Sequence, residues 1–141
     1  MSDAPAPTPP PGFVEADIQA PFFKLLGPLW TRRVDGVFEM AITIDERHLN
    51  GRGQCHGGLL AAFADIALVR SVARTVDPPM RVATASLTID YAGSVEKGET
   101  VIATTDVLRM GRRMAFANCY LHVGERRVVR ASAVLAPLDR V

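Results

Sequence analysis

The sequence predicts an α+β domain in which one antiparallel sheet packs on one long helix. Three observations predict it. The chain offers one long helix candidate, from Gly57 to about Thr75, stopped by Asp77-Pro78-Pro79. A stretch before it, "GVFEMAITIDE", alternates with period two, with Phe38, Met40, Ile42 and Ile44 on one face and Glu39, Thr43 and Asp45 on the other. After the helix come four strand-like segments in a row, near 81–92, 99–109, 112–123 and 126–137.

Each element follows in order along the 141 residues, a length that fits one domain. Five of the ten prolines fall in the first eleven residues, a density that excludes a helix or central strand. Residues 1–12 therefore read as a disordered Pro-rich tail and 13–141 as the domain. "APFFKLLGPLW" predicts a short apolar-faced helix near 19–26, ended by Gly27-Pro28. "HLNGRGQCHGG" is a glycine-rich loop that leads into the long helix. Lys97-Gly98-Glu99, Gly111 and Gly124-Glu125 mark the turns between the later strands.

Composition narrows the function classes. With 48% hydrophobic and 22% charged residues the chain can bury a real core. Sixteen basic against fifteen acidic residues, a net charge of +1, argue against a general nucleic-acid or membrane-surface binder. There is no charge-free apolar run long enough for a membrane span, and the first residues lack the basic and apolar regions of a secretory signal. Two cysteines, Cys55 and Cys119, make no disulfide framework, so a cytoplasmic setting is the expectation.

The long helix carries the chemistry. Leu59 to Val69 is apolar on every side except at Asp65, so the helix should be buried all round. One sheet covers one side only; a second subunit can cover the other. Asp65 is then either a structural carboxylate, paired or hydrogen-bonded, or a general base or nucleophile tuned by its surroundings. The helix starts at Gln54-Cys55-His56-Gly57-Gly58, without a Ser, Thr, Asp or Asn cap. Its first-turn N–H groups are expected to be open. They form either a site that polarises a carbonyl, with glycines letting a ligand approach, or a tight turn that merely needs glycine. Gly57 and Asp65 are eight residues apart, about 12 Å along a helix. If they cooperate they come from different chains, brought together by a two-fold axis that sets two such helices antiparallel.

Asn50, Gly53, His56, Gly57, Gly58 and Asp65 reproduce the pattern N-x-x-G-x-x-H-G-G-x6-D. This resembles the hotdog-fold acyl-CoA thioesterases of the phenylacetic-acid-degradation (PaaI-like) type. The similarity continues through "TASLTIDY", "KGE" and "VLRMGRRMAFANCYL", while "YAGSV" at 91–95 departs from it in lacking a proline. The resemblance implies a long helix wrapped in an antiparallel sheet, paired into homodimers and usually homotetramers. It implies hydrolysis of an acyl-CoA thioester, with no cofactor and no metal, coenzyme A being part of the substrate. It assigns carbonyl polarisation to the Gly57 amide, shaping of that end to Asn50 and His56, and water activation or direct attack to Asp65 of the facing subunit. Thr84 falls where a Ser or Thr positions the water or carboxylate. Gly58 is a substrate-contacting position in the same turn.

Other candidates carry two readings each. Arg109, Arg112 and Arg113 form a solvated hairpin or contact the phosphates of coenzyme A, as Arg126 and Arg127 could. Phe63 and "PFFKLL" (21–26) line the acyl pocket or belong to the core. Cys55 reads as a packed residue rather than half of a Cys–His pair. His48 and His122 read as surface or strand residues rather than ligands. Two functions of other classes remain on the same fold: a non-catalytic acyl-CoA-binding module and, ranked low, a hydratase or dehydratase.

Overall fold

The computed structural model describes residues 7–138. Among these, seven antiparallel strands form one sheet in the order β1-β2-β3-β5-β6-β7-β4. Their ranges are β1 Val14–Glu15, β2 Trp30–Val34, β3 Val37–Thr43, β4 Val82–Tyr91, β5 Thr100–Met110, β6 Ala115–Val123 and β7 Arg126–Pro137. The long helix α2, Gly57–Ala73, packs against β3, β4, β5, β6 and β7, so the sheet curls around it. This is the hotdog arrangement that the motif implied. The short helix α1 spans Pro21–Leu25, with proline at its start and Gly27 closing it at φ +86°. Of the tail proposed for residues 1–12, residues 1–6 lie outside the described residues; residues 7–12 are in no helix or strand, and the Phe13 amide donates to the Pro10 carbonyl at 3.0 Å.

The alternation in β3 does what it predicts. Met40, Ile42 and Ile44 are at most 1% exposed and meet Leu60, Phe63, Leu68 and Val72 of α2 in one core. Each such side chain contributes about 1.5–3 kcal/mol by leaving water. The opposite face of the same strand is covered locally too. Ala41 packs with Phe13 and Trp30 in a second, smaller cluster.

Two features of the sheet are not in the linear pattern. The first is the strand pair β1–β2, for which the sequence reading has no counterpart. Trp30–Val34 contains two arginines and lacks apolar alternation. It is held by its partner strand: Arg32 pairs with Glu39 at 2.8 Å and lies over the Phe13 ring. Asp35-Gly36, with φ of +50° and +79°, turns β2 into β3, and this dipeptide is a strong hairpin signal. The second is the placing of β4, which leaves its sequence neighbour β5 and pairs with β7 at the far edge. The helix between β3 and β4 makes this crossover possible.

The long helix ends at Ala73, short of the Asp-Pro-Pro signal, with Arg74 as its C-cap and its last carbonyls taken up locally. The Thr75 hydroxyl donates to the Val72 carbonyl at 2.8 Å, and the Arg74 guanidinium donates to the Arg70 carbonyl at 3.3 Å.

Candidate active site

The glycine-rich loop is shaped by Asn50. Its side-chain oxygen accepts from the Arg52 amide at 2.8 Å and the Gln54 amide at 3.2 Å, and the Gly53 amide donates to its carbonyl at 3.0 Å. Gly53 turns the chain at φ +78°. The His56 amide then donates to the His48 carbonyl at 2.8 Å, which fixes where α2 begins.

The expectation that the first-turn amides are open needs correction. His56 is the cap: its Nδ1 accepts from the Gly58 amide at 2.8 Å. The Leu59 and Leu60 amides bond the His56 carbonyl at 3.0 and 3.3 Å. Among the described residues this leaves one first-turn donor without a partner, the Gly57 N–H. Histidine is an unusual cap, and Gly58 is what permits it. A Cβ on Gly58 would sit 2.9 Å from His56 Nδ1.

Gly57 is constrained from the other side by Tyr91, a residue the motif does not include. The Tyr91 hydroxyl donates to the Gly57 carbonyl at 2.6 Å, and a Cβ on Gly57 would lie 3.2 Å from the Tyr91 ring. The two glycines thus admit His56 and Tyr91 close to the backbone, and the Gly57 peptide is held in one orientation. Its place at the end of "TASLTIDY", a strand-like segment that shares the family resemblance, is the signal that could have flagged it.

Asp65 also differs from expectation. It is not buried within the chain. Gly58, Ala62, Asp65 and Val69 form the incompletely covered stripe of α2, while Leu60, Phe63, Ala64, Ala67 and Leu68 are buried. The carboxylate accepts the Thr84 hydroxyl at 2.6 Å. Thr84 stands beside a bulge in β4, where the register with β7 shifts between Thr84 and Ser86. Bulges of this kind re-aim side chains. Strand β4 therefore holds both halves of the motif: Thr84 engages Asp65 and Tyr91 engages Gly57. The two halves remain about 12 Å apart along α2.

Several candidates fall elsewhere. Phe63 is fully buried in the core, because its position faces the sheet rather than the open stripe. Arg109, Arg112 and Arg113 are exposed on the β5–β6 hairpin and make no ion pair among the described residues. The ladder sets Thr84 opposite Leu135, Leu135 opposite Ala115 and Ala115 opposite Met110, so this hairpin shares the row of Thr84. Arg126 is committed to Glu99 at 3.0 Å, and Arg127 lies over the Tyr120 ring. His48 is neither a surface nor a strand residue. It is 4% exposed, accepts from the Asp45 amide at 2.9 Å through Nδ1 and donates to the Leu26 carbonyl at 2.7 Å through Nε2. His122 lies in β6 as expected. Burial pushes the Cys55 thiol up to about 11, which agrees with a packed residue and not a nucleophile.

The "PFFKLL" segment stands beside this site. Phe22, Leu25 and Leu26 face Leu59 and Ala62 across a groove of about 400 Å³ that reaches His56 and Gly58. No helix among the described residues is long and apolar enough to cross a membrane.

Comparison with known proteins places this geometry. The family model described as Thioesterase superfamily matches residues 52–130, which include His56, Gly57, Gly58, Asp65, Thr84 and Tyr91. A Pseudomonas aeruginosa protein named as a candidate esterase is 39% identical over 126 residues, 89% of this chain and 94% of its own length. Mouse acyl-coenzyme A thioesterase 13 is 29% identical over 75 residues, 53% of each chain. The structure of a variant of the phenylacetic acid degradation protein PaaI from Thermus thermophilus superposes with a TM-score of 0.72 at 26% identity, covering 84% of this chain and all of that one. The expectation of a PaaI-like hotdog enzyme of the thioester-hydrolase class agrees with all of these, and the chain belongs to the thioesterase superfamily.

Proposed function

We infer that the protein is an acyl-CoA thioesterase whose active sites are each assembled from two chains. The observation that carries this reading is the Asp65–Thr84 pair on the incompletely covered stripe of α2, about 12 Å from the free Gly57 N–H. One chain holds a carbonyl-polarising donor and a carboxylate, too far apart for one substrate. A two-fold axis perpendicular to α2 at the middle of the stripe sets two such helices antiparallel, brings the Gly57 of one chain against the Asp65 of the other and covers the apolar helix. Pairing two such dimers into a homotetramer is the family-based extension of this reading.

In the reaction, the thioester carbonyl oxygen accepts the Gly57 N–H at the positive end of α2. His56 and Asn50 hold that terminus without touching the carbonyl. Asp65 of the facing chain takes a proton from water as the water oxygen attacks the carbonyl carbon. The tetrahedral intermediate collapses, the C–S bond breaks, and the coenzyme A thiolate leaves with a proton. Direct attack by Asp65 gives a mixed anhydride that water then hydrolyses, and it uses the same geometry. In both, Thr84 fixes the carboxylate. In this reading Arg109, Arg112 and Arg113, on the β5–β6 hairpin whose Met110 ends the ladder row of Thr84, meet the coenzyme A phosphates. The mouse relative's name gives the same substrate class.

Release of free coenzyme A from a panel of acyl-CoAs tests the reading. Asp65→Asn should lower turnover by about 10²–10⁴-fold. An Asp65→Asn protein with wild-type turnover would overturn the assignment.

A further inference from the structure

Three contacts that brace the start of α2 come from residues 91–96. The Tyr91 hydroxyl donates to the Gly57 carbonyl at 2.6 Å, the Cys55 amide donates to the Val95 carbonyl at 2.8 Å, and Gln54 Nε2 donates to Glu96 Oε1 at 3.0 Å. This stretch is itself anchored in the sheet. Tyr91 pairs with Val129 of β7, the Ala92 and Gly93 amides donate to the Val128 carbonyl at 2.8 and 3.1 Å, and Val95 is fully buried. Tyr91 therefore reaches the helix terminus from a fixed point.

Of the three, the Tyr91 contact is the one that stability explains least. Tyr91 is 52% exposed, so water can satisfy its hydroxyl, and the Gly57 carbonyl already belongs to the helical ladder. The bond stands at the head of a chain instead. The Gly57 carbonyl and the Gly58 N–H are the two ends of one peptide. Tyr91 holds the first, and the second donates to His56 Nδ1 at 2.8 Å. An amide N–H can only donate, so Nδ1 carries no proton and the ring proton of His56 is on Nε2. A carbonyl that accepts a hydrogen bond makes the N–H of its own peptide a better donor, so hydroxyl, peptide and imidazole support one another. The preceding peptide is pinned as well. The His56 carbonyl accepts from the Leu59 and Leu60 amides at 3.0 and 3.3 Å, and the N–H of that peptide is the free one, that of Gly57. With both flanking peptides held, the backbone angles of Gly57 are held.

We propose that Tyr91 is a positioning residue for the thioester reaction: its hydroxyl clamps the Gly57–Gly58 peptide, and the clamp aims the Gly57 N–H at the substrate carbonyl. The proposal rests on the thioesterase reading above, and in it Tyr91 touches no reacting atom. Two adjacent glycines have the most backbone freedom to lose, and here they stand where an N–H must meet a developing oxyanion. A donor that wanders from that direction loses its effect steeply. Tyr91 supplies the order that the glycine pair gives up. The ring has a separate part, since it fills the space that a Gly57 Cβ would take.

Tyr91→Phe separates the two parts, because it keeps the ring and deletes the hydroxyl. With acetyl-, octanoyl- and phenylacetyl-CoA as substrates, kcat should fall by about three- to tenfold and KM should change little. A merely structural tie would lower the thermal midpoint and leave kcat alone. The second readout is infrared difference spectroscopy of phenylacetyl-CoA labelled with carbon-13 at the thioester carbonyl and bound to Asp65→Asn protein. The bound carbonyl stretch should lie below its value in water, and adding Tyr91→Phe should move it back up. Unchanged kcat in Tyr91→Phe, a change in KM alone, or an unmoved stretch would overturn the clamp. Wild type that releases no coenzyme A would overturn the thioesterase reading and the role of the clamp with it. An active wild type beside an unaffected Tyr91→Phe would overturn the clamp alone.

Discussion

The Thr84 hydroxyl donates to Asp65 Oδ1 at 2.6 Å, across the seam between the edge strand β4 and the helix α2. The same strand reaches Gly57 through Tyr91, also at 2.6 Å. One edge strand thus positions a carboxylate near its start and a helix-terminal peptide at its end.

The Thr84 bond makes the first prediction. Thr84→Val keeps the shape and removes the donor, so the carboxylate loses its orientation. Hydrogen bonds to charged groups are worth about 1.5–3 kcal/mol, so kcat should fall by about ten- to a hundredfold with KM little changed. Thr84→Ser should restore most of it. A Thr84→Val enzyme with normal kcat would make the contact merely structural.

Gly57→Pro addresses the other half-site directly. Proline is tolerated at the first helical position, and His56, at φ −64° and ψ 133°, already has the extended backbone that a following proline requires. The substitution deletes the N–H proposed to bind the carbonyl and also adds a Cβ 3.2 Å from the Tyr91 ring, so Gly57→Ala, which adds that Cβ and keeps the N–H, is its control and should stay the more active of the two. Loss of one such donor typically costs about 10²–10³-fold in kcat. Circular dichroism should report a helix content like wild type. Full activity without that N–H would contradict the assigned role.

How far these residues could be read in advance depends on where their information lies. Asp65 is visible because one charge interrupts an apolar helix, and the spacing to Gly57 follows from helix rise alone. The strand β3 is visible from its alternation. The His56 cap is not, because histidine is outside the usual capping set and works here only through the absent Cβ of Gly58. Tyr91 lies 34 residues from Gly57 in the chain and meets it only after β4 crosses to the far edge of the sheet. The apolar neighbours of Asp65 predict its burial, but the stripe at 58, 62, 65 and 69 lies on the side the sheet does not cover. A linear pattern records that a helix is apolar, and not which side its own sheet takes.

The glycine that admits the cap gives a stability prediction. Gly58→Ala places a methyl group against the His56 ring and should displace it from the Gly58 amide. Losing an N-cap costs about 1 kcal/mol. The thermal midpoint should drop by about 2–6 °C, although alanine is otherwise the better helix former. A rise in the midpoint would show that the cap contributes nothing.

Cys55 gives a pH prediction. Burial raises its thiol from 9.0 to about 11, and that of Cys119 to about 12. The folded chain therefore keeps protons that the unfolded chain releases. This contribution to stability is fully present below about pH 9 and is lost as pH rises through about 11. Urea midpoints should fall between pH 9 and pH 11, less steeply in Cys55→Ala, and iodoacetamide should not label native Cys55 at pH 8. Rapid labelling of native protein, with loss of turnover, would reopen a nucleophilic role.

Assembly of each site from two chains is tested most directly by mixing Gly57→Pro and Asp65→Asn proteins, each impaired alone, after unfolding and joint refolding. Random pairing makes half of the dimers mixed, each with one site that draws its donor and its carboxylate from unaltered positions. Cross-chain sites predict recovery of about a quarter of wild-type turnover. No recovery, with mixed dimers demonstrated by native mass spectrometry, would contradict the shared site.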